Sequence, residues 1–220
     1  MTPEITAVVF DFDGVLANSE PLHLRAYQHV LQEVGIALDR DEYYSQYLGF
    51  DDVTALRTIG ESRGQNWSAE QIEALLTRKT VVFDEILSST DVLYPQAACC
   101  VERLSEHLPL GIASGALRHE ILAILHRARL DHCFRFVVAA GETAASKPAP
   151  DPCRRAAELH GMPPAQCVAI EDSRWGIESA KRAGLRCVGI TQTYPASELP
   201  GADRIIDSLD EFTTELIAAL

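Results

Sequence analysis

Short apolar runs and longer amphipathic stretches alternate along most of this chain. Residues 5–10 form a short apolar run rich in β-branched side chains, and it stops at the turn signal Asp13-Gly14. Such a run predicts a strand buried on both faces. From Glu20 to about Leu87 the period changes. Leu22, Ala26, Val30 and Val34 recur every four residues, with Gln28, Gln32 and Glu33 on the other side, which predicts an amphipathic helix. Ser68 and Gln71 have the spacing of a capping box, so a further helix is expected there. Leu75, Leu76, Val82 and Phe83 are expected to supply its apolar face. No convincing strand interrupts this stretch, which therefore reads as a helical insertion.

After Asp91 the two periods alternate. Strands are predicted at 108–113, 134–139, 167–170, 185–190 and 204–206, and helices at 118–129, 151–160, 175–183 and from Leu209 onward. Alternation with short connections predicts an α/β fold: a doubly wound, parallel, Rossmann-like sheet. The expected organisation is a core of residues 1–17 and 90–220 with an α-helical cap inserted at 18–89. Sheets of this kind bind ligands beyond the carboxyl ends of their strands. The polar residues at those ends are therefore the ones to weigh.

Four clusters lie there. Asp11 and Asp13 follow the first strand, and a pair of carboxylates at a buried strand end is costly without a purpose. Taken alone, such a pair also fits a turn Asp plus a helix cap. Ser114-Gly115 follows the second strand; it fits either a helix cap or a phosphate cradle, and both uses are compatible. Lys147 follows the third strand through a loop, and a lone lysine is ordinarily a solvated charge. Glu171-Asp172-Ser173 follows the fourth, with a helix cap again the plain alternative. All four in this order on an alternating α/β chain are hard to attribute to coincidence.

Composition narrows the partners. The 220 residues carry a formal net charge of −13, with 19 basic and 32 acidic side chains. Such a surface repels polyanions, so neither nucleic acid nor an anionic membrane is an expected partner. A small anionic substrate then needs local positive charge. The opening Met-Thr-Pro-Glu-Ile-Thr lacks a basic region and a small-residue cleavage site, so no export signal is expected and the location is read as cytoplasmic. The six cysteines contain no Cys-x-x-Cys pair and are expected to be mostly buried thiols. The chain is expected to act as a monomer.

Together, Asp11-Phe12-Asp13-Gly14, Ser114, Lys147-Pro148 and Glu171-Asp172 resemble the signature of the haloacid dehalogenase superfamily, and the likeness covers essentially the whole chain. The nearest subgroup looks like the β-phosphoglucomutase and phosphatase group, which carries a small helical cap. The resemblance implies a magnesium-dependent phosphatase acting on a small phosphorylated metabolite, such as a sugar phosphate. Asp11 would be the nucleophile and Asp13 the acid-base residue. Ser114, Gly115 and Lys147 would hold phosphate. The Asp11 carboxylate, the Asp13 carbonyl and Asp172, with Glu171 in support, would hold magnesium. Asp13 argues against the carbon-attacking dehalogenases and the phosphonate-cleaving members, which lack it.

The cap sets specificity in that family. Ser19 and His23 match positions that in the mutase approach the nucleophile and the acid-base residue; a helix cap and a surface histidine are the plain alternatives. Lys79 sits where the mutase has a substrate-facing lysine, against the alternative of a solvated Arg78-Lys79 pair. In the stretch 48–52, Asp52 aligns with the arginine that anchors the distal phosphate in the mutase. That substitution favours a phosphatase over a mutase. A non-enzymatic relative would be expected to lose Asp11, Asp13 or Lys147, and all three are present.

Overall fold

The computed structural model describes residues 4–48 and 50–220. Met1 to Pro3, part of the opening segment read above, and Gly49, in the stretch aligned with the mutase anchor, lie outside the described residues. The chain divides into two compact units, 1–18 with 92–220, and 19–91.

The first unit is built on one sheet of six parallel strands: β1 (Ala7–Phe10), β2 (Leu110–Ala113), β3 (Phe134–Val138), β4 (Cys167–Glu171), β5 (Arg186–Ile190) and β6 (Arg204–Ile206). Their order across the sheet is β3-β2-β1-β4-β5-β6. The sheet is therefore parallel and doubly wound, as the alternating pattern predicts. β1 lies in the middle, Phe10 opposite Ile112 on one side and Ile170 on the other. All four of its residues are buried, which explains the continuous apolar run: both faces are covered by helices. Phe10 makes edge-to-face contacts with Phe134 and Phe212, with ring centroids 6.0 and 5.9 Å apart.

The second unit is entirely helical among its described residues. It contains α1 (Glu20–Glu33), the short α2 (Arg40–Glu42), a π-turn at Tyr43–Tyr47, α3 (Asp52–Ser62) and α4 (Ala69–Ser89). The capping box is present: Ser68 accepts from the Gln71 amide at 3.3 Å, and Gln71 accepts from the Ser68 amide at 2.9 Å. Two details differ from expectation. Val34 lies just past the end of α1 and is exposed, because Gly35 turns the chain with φ of +78°. The buried stripe of α4 is Ile72, Lys79, Val82, Phe83 and Leu87; Leu75 and Leu76 are only half-buried.

Back in the first unit, α5 (Ala97–Ser105) precedes β2, α6 (Arg118–Ala128) follows it, α7 (Asp151–His160) follows β3, and α8 (Arg174–Ala183) follows β4. Helix α5 has no counterpart among the predicted elements, although Ala97, Cys100, Val101 and Leu104 show the helical spacing and are buried. The expected helix from Leu209 is a single 3-10 turn at Leu209–Glu211, followed by α9 (Thr214–Ala218). The two crossings out of this unit run side by side: the Asn18 amide donates to Val92 O at 2.7 Å and the Tyr94 amide to Leu16 O at 3.0 Å. All six cysteines are free; four are buried, Cys133 is partly so and Cys99 is exposed. No described helix is long and apolar enough to cross a membrane.

Candidate active site

The carboxyl ends of the two central strands, β1 and β4, adjoin because the strands pair in register. Asp11 follows Phe10, and its amide donates to Ile170 O at 3.0 Å. That bond continues the ladder one residue past the strand and fixes Asp11 beside Glu171 and Asp172. Carboxylate oxygens of Asp11, Glu171 and Asp172 all lie within 4.8 Å of one another.

Lys147 reaches this cluster from the loop after β3. Its ammonium donates to Asp11 Oδ1 at 2.8 Å and to Glu171 Oε1 at 2.7 Å. The solvated alternative does not hold for this lysine. Burial works against its charge, but the carboxylates of Asp11 and Glu171 outweigh burial and push its pKa up. Lys147 is therefore a firm cation. Three carboxylates against one ammonium leave two negative charges uncompensated. Burial first, and then the charge of Asp11, push Asp172 up to about 7. Burial likewise raises Glu171, with Lys147 opposing. One oxygen, Glu171 Oε2, is buried without a hydrogen-bond partner. An orphan oxygen in a crowded set of hard oxygen donors suits a divalent cation such as magnesium.

Two glycines make room for these carboxylates. A Cβ on Gly14 would lie 1.8 Å from Asp172 Oδ2, and one on Gly176 would lie 1.8 Å from Glu171 Oε2. Gly14 also has a φ of +75°, a region that side chains resist. The 12–17 turn is tied down by Phe12 O, which accepts the amides of Val15, Leu16 and Ala17. Asp13 sits half-buried in this turn.

The cap alternatives resolve one by one. Helix α6 starts from Leu117, so Ser114 does not cap it. Ser114 is buried, its hydroxyl accepting the Ala116 amide at 3.1 Å. Gly115 beside it is exposed, with open space where a side chain would stand. Helix α8 is capped by Ser173, which accepts the Gly176 amide at 3.2 Å, so Glu171 and Asp172 are not used as caps.

In the helical unit, Lys79 is buried, whereas Arg78 is exposed and pairs with Glu33. The solvated-pair alternative therefore holds for Arg78 only. Lys79 Nζ lies 2.5 Å from Asp52 Oδ1, 3.2 Å from His23 Nδ1 and 4.4 Å from the centre of the Tyr27 ring. His23 stacks on Phe83 at 4.3 Å and is no surface histidine. Burial first, and then Lys79, lower its pKa to about 3. Ser19 is buried at the N-cap position of α1 but makes no capping bond through its side chain.

Several participants escape sequence reasoning. Thr193 hydrogen-bonds Asp172. With its amide nitrogen assigned to the side that faces them, Gln192 donates to Gly14 O and Val15 O, at 2.7 and 3.1 Å. Both lie just past β5, where a strand-end rule finds them only if every polar residue there is kept. Tyr27 and the Glu20–Tyr43 pair complete the polar cluster of the helical unit. As aromatic or surface-patterned positions they carry no distinguishing signal.

The profile of haloacid dehalogenase-like hydrolases matches residues 8–190. Protein CbbY of Rhodobacter capsulatus is 34% identical over 232 residues, 99% of each chain. β-Phosphoglucomutase of Bacillus subtilis strain 168 is 29% identical, covering 96% of this chain and 93% of its own. CbbY of Rhodobacter sphaeroides has been solved with phosphate, at 28% identity, a TM-score of 0.85 and coverage of 98% and 100%. It has also been solved with xylulose-1,5-bisphosphate, at 28% identity, a TM-score of 0.82 and coverage of 94% and 96%. The chain belongs to the haloacid dehalogenase-like hydrolases, as its motifs suggest, and is a phosphoric monoester hydrolase of the aspartyl-phosphate kind. Members of this family generally use a divalent metal.

Proposed function

We propose that the chain is a magnesium-dependent phosphatase of small sugar phosphates in which Asp11 is the nucleophile. The observation that carries this reading is the Lys147 ammonium, hydrogen-bonded to both Asp11 and Glu171 beside Asp172.

In the first step a carboxylate oxygen of Asp11 bonds to phosphorus and the ester P–O bond breaks. The proton of Asp13 goes to the leaving sugar oxygen. In the second step a water oxygen attacks phosphorus and Asp13 takes its proton. The Asp11–phosphorus bond then breaks and inorganic phosphate leaves. Lys147 holds a transferring oxygen and keeps Asp11 aimed, and Ser114 with the Gly115 backbone receives the other phosphoryl oxygens. The Asp11 and Asp172 carboxylates and the Asp13 carbonyl, with Glu171 in support, would hold a magnesium ion, which would supply charge neutralisation for the transferring group. Positioning and charge neutralisation dominate chemistry of this type.

The likeness to β-phosphoglucomutase raises a mutase as the alternative. A mutase must grip a bisphosphate by its far phosphate, which calls for a cation in the cap, and Asp52 is an anion where the mutase has arginine. In this proposal the helical unit, through Ser19, His23, Asp52 and Lys79, selects the substrate.

The test is a panel of sugar phosphates assayed with magnesium and with excess chelator. Magnesium-dependent release of phosphate is expected, together with trapping of a fluoride-metal phosphoryl mimic beside Asp11. Efficient bisphosphate-primed conversion of β-glucose 1-phosphate to glucose 6-phosphate would overturn the phosphatase assignment.

A further inference from the structure

β5 ends at Ile190 beside β4, and three polar residues follow it: Thr191, Gln192 and Thr193. Both ends of this short loop are tied down. The Thr191 hydroxyl donates to Asp207 Oδ1 at 2.6 Å and its amide to Ile206 O at 3.1 Å, which holds the loop to the end of β6. At the other end the Tyr194 ring meets Trp175 of α8 edge-on, with centroids 6.1 Å apart. The two residues between these anchors reach the ends of β4 and β1. The Thr193 hydroxyl donates to Asp172, a bond that favours the charged carboxylate against burial. Gly14 lies against both partners: a Cβ there would stand 1.8 Å from Asp172 Oδ2 and 2.6 Å from Thr193 Oγ1. Gln192 donates to Gly14 O at 2.7 Å and to Val15 O at 3.1 Å. Neither carbonyl accepts a backbone amide among the described residues, so this one side chain satisfies two peptide groups of the turn that carries Asp13.

We infer that Thr193 and Gln192 are positioning residues for the reaction proposed above, on which this inference rests: Thr193 sets the Asp172 carboxylate for the cation, and Gln192 sets the turn that presents Asp13 to the leaving oxygen. A hydroxyl bonded to Asp172 restricts the swing of the carboxylate, so that a cation meets it already oriented. In the turn, the amides of Gly14, Val15, Leu16 and Ala17 are spent on Ala17 O and Phe12 O, and the carbonyls that follow Asp13 are held from β5. Because both side chains belong to one anchored loop, the carboxylate and the acid-base residue share a frame. The loop after β5 fixes their spacing, although one comes from β4 and the other from β1.

The test separates the two tasks. The magnesium concentration that gives half of the maximal rise in Tm is measured for the wild type, Thr193→Val and Thr193→Ser. Valine keeps the branched shape and removes the hydroxyl, and that concentration is expected to rise about tenfold. Serine keeps the hydroxyl and should restore a value within about threefold of wild type. For Gln192→Met, similar in length but without donors, kcat/KM is measured on fructose 1-phosphate and on p-nitrophenyl phosphate. A sugar alkoxide needs the Asp13 proton in order to leave, whereas a nitrophenolate leaves readily without one. The ratio of the first kcat/KM to the second is expected to fall about tenfold in Gln192→Met and to stay within about twofold in Thr193→Val. Thr193 is exposed and Gln192 half-buried, so neither substitution opens the core. A magnesium response of Thr193→Val equal to wild type overturns the role of Thr193, and an unchanged ratio in Gln192→Met overturns that of Gln192. A wild type that hydrolyses no sugar phosphate and shows no magnesium response would remove the phosphatase reading itself. Wild-type hydrolysis with unaffected variants removes only the positioning roles.

Discussion

The α-carbon of Gly176 lies against the carboxylate of Glu171, so close that a methyl group there would stand 1.8 Å from Oε2. Glycine is needed at this point for room, since its φ is unremarkable. Gly176→Ala should push Glu171 off Lys147, to which it is bonded at 2.7 Å. Turnover is expected to fall by about a hundredfold or more, as removal of a preorganised electrostatic contact does. The helix cap from Ser173 remains, so circular dichroism should show a folded protein. Wild-type turnover in this variant would mean that Glu171 can move without consequence.

On the proposed reading, Asp11→Asn preserves shape and removes the nucleophile. The amide oxygen can still accept from Lys147. Turnover should drop by about a thousandfold or more, in line with loss of a nucleophile that acts as a unit with its partners. Measured phosphate release near the wild-type rate would place the covalent step on another residue.

Magnesium should stabilise the fold as well as the reaction. Two uncompensated negative charges in the Asp11, Glu171 and Asp172 cluster destabilise the metal-free site. At one hundred times its dissociation constant the ion should add about 2.7 kcal/mol. For a chain of this size that corresponds to a rise in Tm of roughly 5–10 °C. Calorimetry with chelator and then with excess magnesium reads this directly, and an unchanged Tm would speak against a cation there.

Acid should weaken the helical unit before it protonates its carboxylates. His23 has its pKa lowered to about 3, chiefly by burial, against 6.5 in an unfolded chain. Its neutral form therefore stabilises the fold above pH 6.5, and that contribution is lost as pH falls from 6.5 toward 3. Asp52, held low by Lys79, acts in the same direction below about pH 4. Glu20, raised by burial, has the opposite sign. Its favourable contribution is present at acid pH and disappears as pH rises through its raised value. With allowance for the partial exposure of His23, the net loss between pH 6.5 and 4.5 should be about 1–2 kcal/mol. Urea titrations of the wild type and His23→Gln at those two pH values test it; equal pH slopes in the two proteins would rule out His23 as the source.

The sheet was legible because β1 and β4 are covered on both faces and leave continuous apolar runs, whereas the surface helix α5 is short and its Ala97, Cys100, Val101, Leu104 stripe is flanked by the turn at Tyr94-Pro95. The carboxylates and Lys147 were legible because chemistry at strand ends leaves charged residues where apolar ones are the rule. Lys79 shows the limit. A lysine within an apolar stripe looks like a break in the pattern, and only its partner on another helix, Asp52, 27 residues away in sequence, gives it a buried place. Thr193 and Gln192 were invisible for a similar reason, since each shows its use only through a partner on another strand end: Asp172 after β4 for Thr193, and the Gly14-Val15 turn after β1 for Gln192.

The hydrogen bond between Lys147 and Asp11 joins residues 136 positions apart, and β4, which supplies Glu171 and Asp172, is made later still. During synthesis the first strand and its aspartates therefore leave the ribosome long before anything can complete them. A nascent chain with Asp11 already exposed has neither the Lys147 ammonium nor the acidic pair of β4. The cluster is complete only once more than three-quarters of the chain has emerged and β4 has paired with β1, so on the proposed reading hydrolysis waits on the closing of the sheet centre.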